Sequence, residues 1–127
     1  MNYSIKQVAE KTNLTTHTLR YYDKEGLLPF LNRSESGTRK FSDNDLEWLS
    51  LICCLKNTGM HIREIKAFVE LSMQGDETLK TRCDMLAVHK ENVQEQIRTM
   101  ESYLKKVTHK IELFNAKYEE YSKRRKK

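Results

Sequence analysis

Apolar positions along this chain recur mostly at helical spacing, interrupted by one polar stretch of strand character. Tyr3 to Asn13 reads YSIKQVAEKTN, with Ile5, Val8 and Ala9 at helical spacing behind a capping box of Ser4 and Gln7. This predicts a first short helix, followed by a tight turn at Asn13 and Leu14. Thr15 to Leu28, TTHTLRYYDKEGLL, then opens on two threonines able to cap a helix and closes on Gly26, which can end one. The two helices read as a helix-turn-helix. The second carries His17, Thr18, Arg20, Tyr21 and Tyr22 within a short span, and such side chains grip phosphates and reach base edges in a major groove. The plain reading of the same face is an amphipathic helix with a solvated polar side.

Pro29 to Ser42, PFLNRSESGTRKFS, breaks the helical period. Gly37 sits inside a polar turn with Arg33, Arg39 and Lys40 around it, the pattern of a two-stranded wing with a basic tip. From Ser42 the helical period returns: Ser42 caps, Asp45 completes a box, and Leu46, Leu49, Ile52 and Leu55 form a stripe that Gly59 stops. That stripe, with Trp48 nearby, is expected to pack against the first two helices and close a small core. Met60 to Gly75 gives Ile62, Ile65, Phe68, Val69 and either Leu71 or Met73 as the buried side of a further short helix.

A long helix follows from about Asp76 or Glu77. From Val93 its apolar positions step strictly by four and three: Val93, Ile97, Met100, Leu104, Val107, Ile111, Phe114, Tyr118, Tyr121. The helix would be about 65 Å long at a rise of about 1.5 Å per residue. A heptad stripe needs a second helix, and the chain has no other of similar length, so the mate is a second copy. The pattern loosens between Arg82 and Lys90, around Cys83, Met85, Leu86 and His89, where packing on the DNA-binding part of the other subunit is expected. The expected fold is all-α dominated: a winged helix-turn-helix with a small two-stranded wing over residues 1–75, a coiled-coil dimerisation helix over 76–122 and a basic tail over 123–127.

The order of these motifs carries a resemblance. LRYYDKEGLL on the second helix, R-x3-G-x-R-x-F across the wing and LKNTGMHIREIKAF after the third helix closely resemble the MerR family of transcription regulators, from Met1 to about Gly75 and on into a long helix. The resemblance implies a homodimer joined by an antiparallel coiled coil, which separates two recognition helices by a fixed distance. It further implies double-stranded promoter DNA as the partner, distorted across its spacer so that RNA polymerase can engage. Carried over by position, Thr16, Thr18, Arg20, Tyr21 and Tyr22, with His17, would be recognition-helix contacts. Arg33, Arg39 and Lys40 would hold the wing to the backbone. Phe41 stands where the family often has Tyr, so a hydroxyl contact to phosphate there would be lost or replaced. Lys56 has two readings, a phosphate contact or a partner for the helix dipole. His61 replaces the Ser that often starts the fourth helix, leaving a weaker cap and a titratable group that is either a pH sensor or an incidental surface histidine.

Composition changes this picture less than the motifs do. Net charge is +5, but five of the 23 basic residues form the run Lys123–Lys127, and the other 18 match the 18 acidic ones. The case for DNA therefore rests on local clustering. The basic run could add non-specific DNA affinity or be a solvated, disordered end. No apolar run approaches a membrane span and the N-terminus lacks a basic region leading into an apolar core, so a cytoplasmic location and no membrane partner are expected. Three cysteines in such a chain do not read as a disulfide framework. No nucleophile, base and orienting group assemble and no glycine loop cradles phosphate, so neither an enzyme nor a cofactor is expected. The competing class is a coiled-coil interaction module whose N-terminal part docks a protein.

The effector must be sought among the thiols. Metal-sensing members of the family carry a cysteine near the start of the long helix and a second, cysteine-bearing loop after it. Cys83 sits near the first position, but EEYSKRRKK ends the chain without Cys or His, and Cys83 and His89 face different directions on a helix. One thiolate does not make a soft-metal site, and none is expected, although a metal response through Cys83 is the alternative reading. Drug-binding members carry a further C-terminal ligand domain, for which 127 residues leave no room. Cys53 and Cys54, just before LKNTGM, resemble the branch that answers aldehydes, other electrophiles or thiol stress through a single cysteine. Cys54 is the better positional match and Cys53 its adjacent alternative, since a thiolate near positive charge such as Lys56 is a nucleophile. The opposing reading is a pair of inert core residues. Neighbouring helical cysteines point about 100° apart, which disfavours a disulfide between them.

Overall fold

The computed structural model describes residues 2–29, 31–33 and 39–126. The wing turn expected around Gly37 lies outside the described residues. The chain divides into two compact units, Met1–Leu86 and Ala87–Lys127.

The first unit opens with a strand that the periodicity does not announce, β1 (Asn2–Tyr3), then α1 (Ile5–Thr12), α2 (Thr16–Lys24), β2 (Asn32–Arg33), β3 (Arg39–Ser42), α3 (Asp43–Asn57) and α4 (Ile62–Gln74). The strands form an antiparallel sheet of order β1-β3-β2, with Tyr3 opposite Phe41 and Arg33 opposite Arg39. Thus the expected two-stranded wing gains an edge strand from the N-terminus. A dipeptide is too short to show an alternating period, which is why it was not legible. Its anchor is the Tyr3 hydroxyl, which donates to Asp43 Oδ1 at 2.8 Å. This bond raises the Tyr3 phenol pKa and lowers that of the Asp43 carboxyl. It is therefore present near neutral pH, and lost as pH falls through the depressed carboxyl pKa or rises through the raised phenol pKa.

Local capping explains the helix limits. Ser4 with Gln7 and Ser42 with Asp45 both form complete capping boxes. Asn13 takes the left-handed conformation (φ 57°) that ends α1 and makes the turn into α2. Gly26, at φ +81°, lets its N–H reach Asp23 O and the Leu27 N–H reach Tyr22 O, at 3.1 and 3.0 Å. The same pair of bonds recurs after α3, from Gly59 to Lys56 O and from Met60 to Leu55 O. In each turn the residue after the glycine is buried, Leu27 and Met60, so the turns also feed the core.

That core joins Val8 of α1, Leu19 and Tyr22 of α2, Phe41 of β3, Leu49, Ile52 and Leu55 of α3, and Ile65, Phe68 and Val69 of α4. Trp48 is half-buried against it, its ring centroid 6.4 Å from that of Phe68. Of the two candidates near the end of α4, Leu71 is partly buried and Met73 is 55% exposed.

The long helix, α5, runs Leu79–Arg125 and begins later than expected, because a 3-10 turn at Asp76–Thr78 intervenes. Gly75, at φ +111°, turns the chain into it. Thr78 is buried; its hydroxyl bonds Leu71 O and Gly75 O, each at 2.7 Å, and accepts from Arg82 Nε at 3.0 Å. Arg82 Nη2 also donates to Gly75 O at 3.3 Å. This one side chain ties the end of α4 to the first turn of α5. Thr78→Val should lower the unfolding free energy by about 1–3 kcal/mol, since it strands buried polar groups. Urea denaturation checks this; an unchanged midpoint would mean water replaces the hydroxyl.

The unit boundary falls later than the sequence leads one to expect. Met85 and Leu86 are partly buried against this chain's own core, and the first unit extends to Leu86. The adjacent apolar pair finds a mate within its own unit. Lys123, Arg124 and Arg125 belong to α5 and do not form a separate tail. Positive charge suits a helix C-terminus, and Arg125 lies 5.7 Å from the Tyr121 ring centroid with Nη1 3.2 Å from its hydroxyl.

The second unit is the remainder of α5. Its heptad stripe is bare: Ile97, Met100, Leu104, Val107, Ile111, Phe114, Tyr118 and Tyr121 are all at least half exposed, and Val93 is half-buried.

Candidate nucleic-acid interface

The recognition helix is built from its two ends inward. Thr15 Oγ1 accepts the Thr18 N–H at 3.0 Å and donates to Thr18 Oγ1 at 2.9 Å, which leaves the Thr18 proton to donate elsewhere. Leu19 is fully buried on α1 and the core, and fixes which face of α2 looks outward. The exposed face carries His17, Arg20 and Tyr21, with Thr16 and Thr18 half-buried beside it. Lys24 is exposed as well, and with His17, Arg20 and Tyr21 it completes the spacing of one helical face. Lys24 was missed, although its distance of two turns from His17 was the available signal.

Tyr22, expected on the contact face, is only 6% exposed and belongs to the core, three residues after Leu19 on the inner face. Burial pushes its phenol pKa up. The rings of Tyr21 and Tyr22 lie 6.2 Å apart at 50°, so the inner ring supports the outer one.

In the wing, Arg33 and Arg39 hold facing register positions across β2 and β3, and Lys40 is exposed. Phe41 is fully buried, so in this chain the position serves the core. Lys56 is exposed in the last turn of α3, in keeping with either of its readings. His61 starts α4 without a side-chain cap bond, as its chemistry leads one to expect.

The thiols separate cleanly. Cys53 is half-buried against the core, and burial, reinforced by Cys54, pushes its pKa up. Cys54 is exposed, so the inert-core reading fails for it. Its carbonyl accepts both the Thr58 N–H, at 3.0 Å, and the Thr58 hydroxyl, at 2.6 Å, placing it at the turn that ends α3. Cys83 is exposed on α5. Among the described residues no group of three His, Cys, Asp or Glu side chains is placed to hold a metal ion, and no helix is long and apolar enough to cross a membrane.

A helix-turn-helix with a wing, followed by a long helix with an exposed heptad stripe, is the architecture of a DNA-binding protein. Sequence comparison specifies the class further. Residues 3–71 match the signature described as MerR HTH family regulatory protein, and residues 46–110 the one described as MerR, DNA binding. The chain belongs to the MerR family and is a DNA-binding transcriptional regulator. It is 44% identical over 114 residues to an HTH-type transcriptional regulator of Haemophilus influenzae, covering 90% of this chain and 84% of the relative. It is 38% identical over 84 residues to the HTH-type transcriptional regulator AdhR of Bacillus subtilis, covering 66% and 60%. Among solved structures it resembles HiNmlR, described as a MerR family regulator lacking the sensor domain, bound to promoter DNA, with 43% identity, 91% of each chain covered and a TM-score of 0.85. A MerR family regulator from Bacillus thuringiensis is 47% identical, with 87% of this chain and 97% of that one covered and a TM-score of 0.82.

Proposed function

We propose that this regulator acts in the cytoplasm as a homodimer on double-stranded promoter DNA. Two copies of α2 enter successive major grooves, the wings hold the flanking backbone, and the strained spacer lets RNA polymerase engage. The observation that carries this reading is the pairing of an exposed face of His17, Arg20, Tyr21 and Lys24 with an exposed heptad seam. One reading head alone binds a short half-site, whereas two at a fixed separation read a two-fold site. The promoter-bound state of the HiNmlR relative supports the same reading. Bending DNA costs about 1–6 kcal/mol for a site of this kind, which the phosphate contacts of both wings must offset. Hydroxyl-radical footprinting on the promoter should give two protected segments related by a two-fold axis, a whole number of helical turns apart. A single protected segment would sink the reading.

The signal enters at Cys54. Its thiolate sulfur adds to the carbonyl carbon of an aldehyde, and the alkoxide formed takes up a proton to give a hemithioacetal. Because the Cys54 carbonyl caps the turn leading into α4, an adduct there displaces α4 relative to α3 and so alters the spacing of the two reading heads. Iodoacetamide at neutral pH should label Cys54 severalfold faster than Cys53, with the gap closing as pH rises towards the raised Cys53 pKa. Mass spectrometry of timed digests checks this, and earlier labelling of Cys53 would contradict it. In cells, reporter induction by formaldehyde or methylglyoxal should vanish in Cys54→Ser and persist in Cys53→Ser and Cys83→Ser. Unchanged induction in all three excludes the thiol mechanism.

A further inference from the structure

The turn that ends the recognition helix is covered by a side chain from a different helix. Gly26 closes α2 at φ +81°, and a methyl group placed on it would stand 3.4 Å from Lys66 Cε and 4.0 Å from Lys66 Nζ. Lys66 belongs to α4 and directly follows Ile65, which is fully buried, so the core fixes the backbone from which the lysine reaches. Any side chain at Gly26 would be strained by the positive φ and would also crowd the lysine stem. Glycine leaves the backbone bare, and the stem lies over it.

This placement brings a cation to the negative end of α2. The last turn of the helix carries the partial negative charge of its carbonyls, and Asp23 and Glu25, both half-buried there, add formal negative charge. Lys24 lies in the same turn but is exposed with His17, Arg20 and Tyr21 on the outward face. The two lysines therefore have different duties. At its other end α2 is held by the Thr15 cap, and along its inner face by Leu19 and Tyr22. A tilt at the Gly26 end would swing Arg20 and Lys24 relative to the groove. Hydrogen bonds to base edges weaken steeply with distance and angle, whereas attraction to phosphates depends mainly on charge.

We propose that Lys66 is a positioning residue for the recognition helix: it clamps the C-terminal end of α2 to α4 and so sets the fit of Arg20 and Lys24 to promoter DNA without touching the DNA. This role rests on α2 being the DNA-contacting helix. The test uses the full chain with Lys66→Met, which keeps most of the stem and removes the charge, and Lys66→Arg, which keeps both. Binding to the promoter fragment and to a scrambled fragment of the same length is followed by fluorescence anisotropy over a range of salt. Lys66→Met should bind the promoter about two- to fivefold more weakly, the equilibrium worth of a cation at a helix C-terminus, with its salt slope and its binding to the scrambled fragment unchanged. Lys66→Arg should bind as the unaltered protein does. In the free protein the Gly26 amide resonance should shift in Lys66→Met, while that of Gly59, which ends α3 with the same pair of bonds, should stay in place. Equal losses on both fragments, with a salt slope shallower by about 0.9, would make Lys66 a phosphate contact and overturn the clamp. A lowered melting temperature with promoter affinity intact would leave it a stabilising side chain only, which also overturns the clamp. Unchanged promoter affinity in Lys66→Met alone would do the same, and unchanged affinity in Arg20→Ala as well would overturn α2 as the DNA-contacting helix.

Discussion

Leu104→Glu is expected to convert the protein to a monomer and to weaken its binding to promoter DNA by about a hundredfold to ten-thousandfold. Leu104 is 63% exposed in the chain and lies outside the core of the first unit, so the substitution spares the folding of that unit. In the dimer, however, it buries a carboxylate from each copy within the apolar seam, where an uncompensated charge is strongly disfavoured. The loss at the DNA is far larger than one missing contact, because the second recognition helix binds at an effective concentration that exists only while the copies are joined. Lys105→Glu, one residue along and off the stripe, should leave the dimer intact. Sedimentation equilibrium with fluorescence anisotropy separates the outcomes. Full promoter affinity in a monomeric Leu104→Glu chain would remove the need for the seam.

Arg20→Ala should weaken binding to the specific site by about 5-fold to 150-fold, equivalent to about 1–3 kcal/mol per contact. The side chain is exposed, with no role in the core, so the melting temperature should not move. Tyr22→Phe is the informative contrast. It keeps the buried ring and removes only a hydroxyl, so affinity should change less than about twofold if Tyr22 supports the helix from within. Equal losses from the two variants would return Tyr22 to the DNA face.

The helices were legible because their limits are written in short-range chemistry. Ser4 with Gln7, Ser42 with Asp45, Asn13, Gly26 and Gly59 each act within a few residues of themselves, and each does so here. The heptad stripe was legible for the same reason, being periodic over many turns. What escaped depended on tertiary contacts. The strand at Asn2–Tyr3 exists because β3 offers an edge and Asp43 accepts from Tyr3, neither of which is visible in two residues of sequence. Tyr22 looks like a contact residue beside Arg20 and Tyr21, and only its position relative to Leu19 reveals the inner face. Met85 and Leu86 lie in an aperiodic stretch, so which core they join could not be read from spacing. The thiols were ambiguous for a related reason: adjacent positions on a helix face differently, and burial assigns Cys53 to the core while leaving Cys54 outside.

The proposed regulator reads one two-fold promoter site with two copies of α2 joined through α5. Sedimentation of the protein with its promoter DNA over a range of salt concentrations tests it most directly. Two chains per site are predicted, with the logarithm of affinity falling linearly against the logarithm of salt by about 0.9 per phosphate neutralised. Binding of a single chain per site, or an affinity indifferent to salt, would rule out a dimer gripping the phosphate backbone.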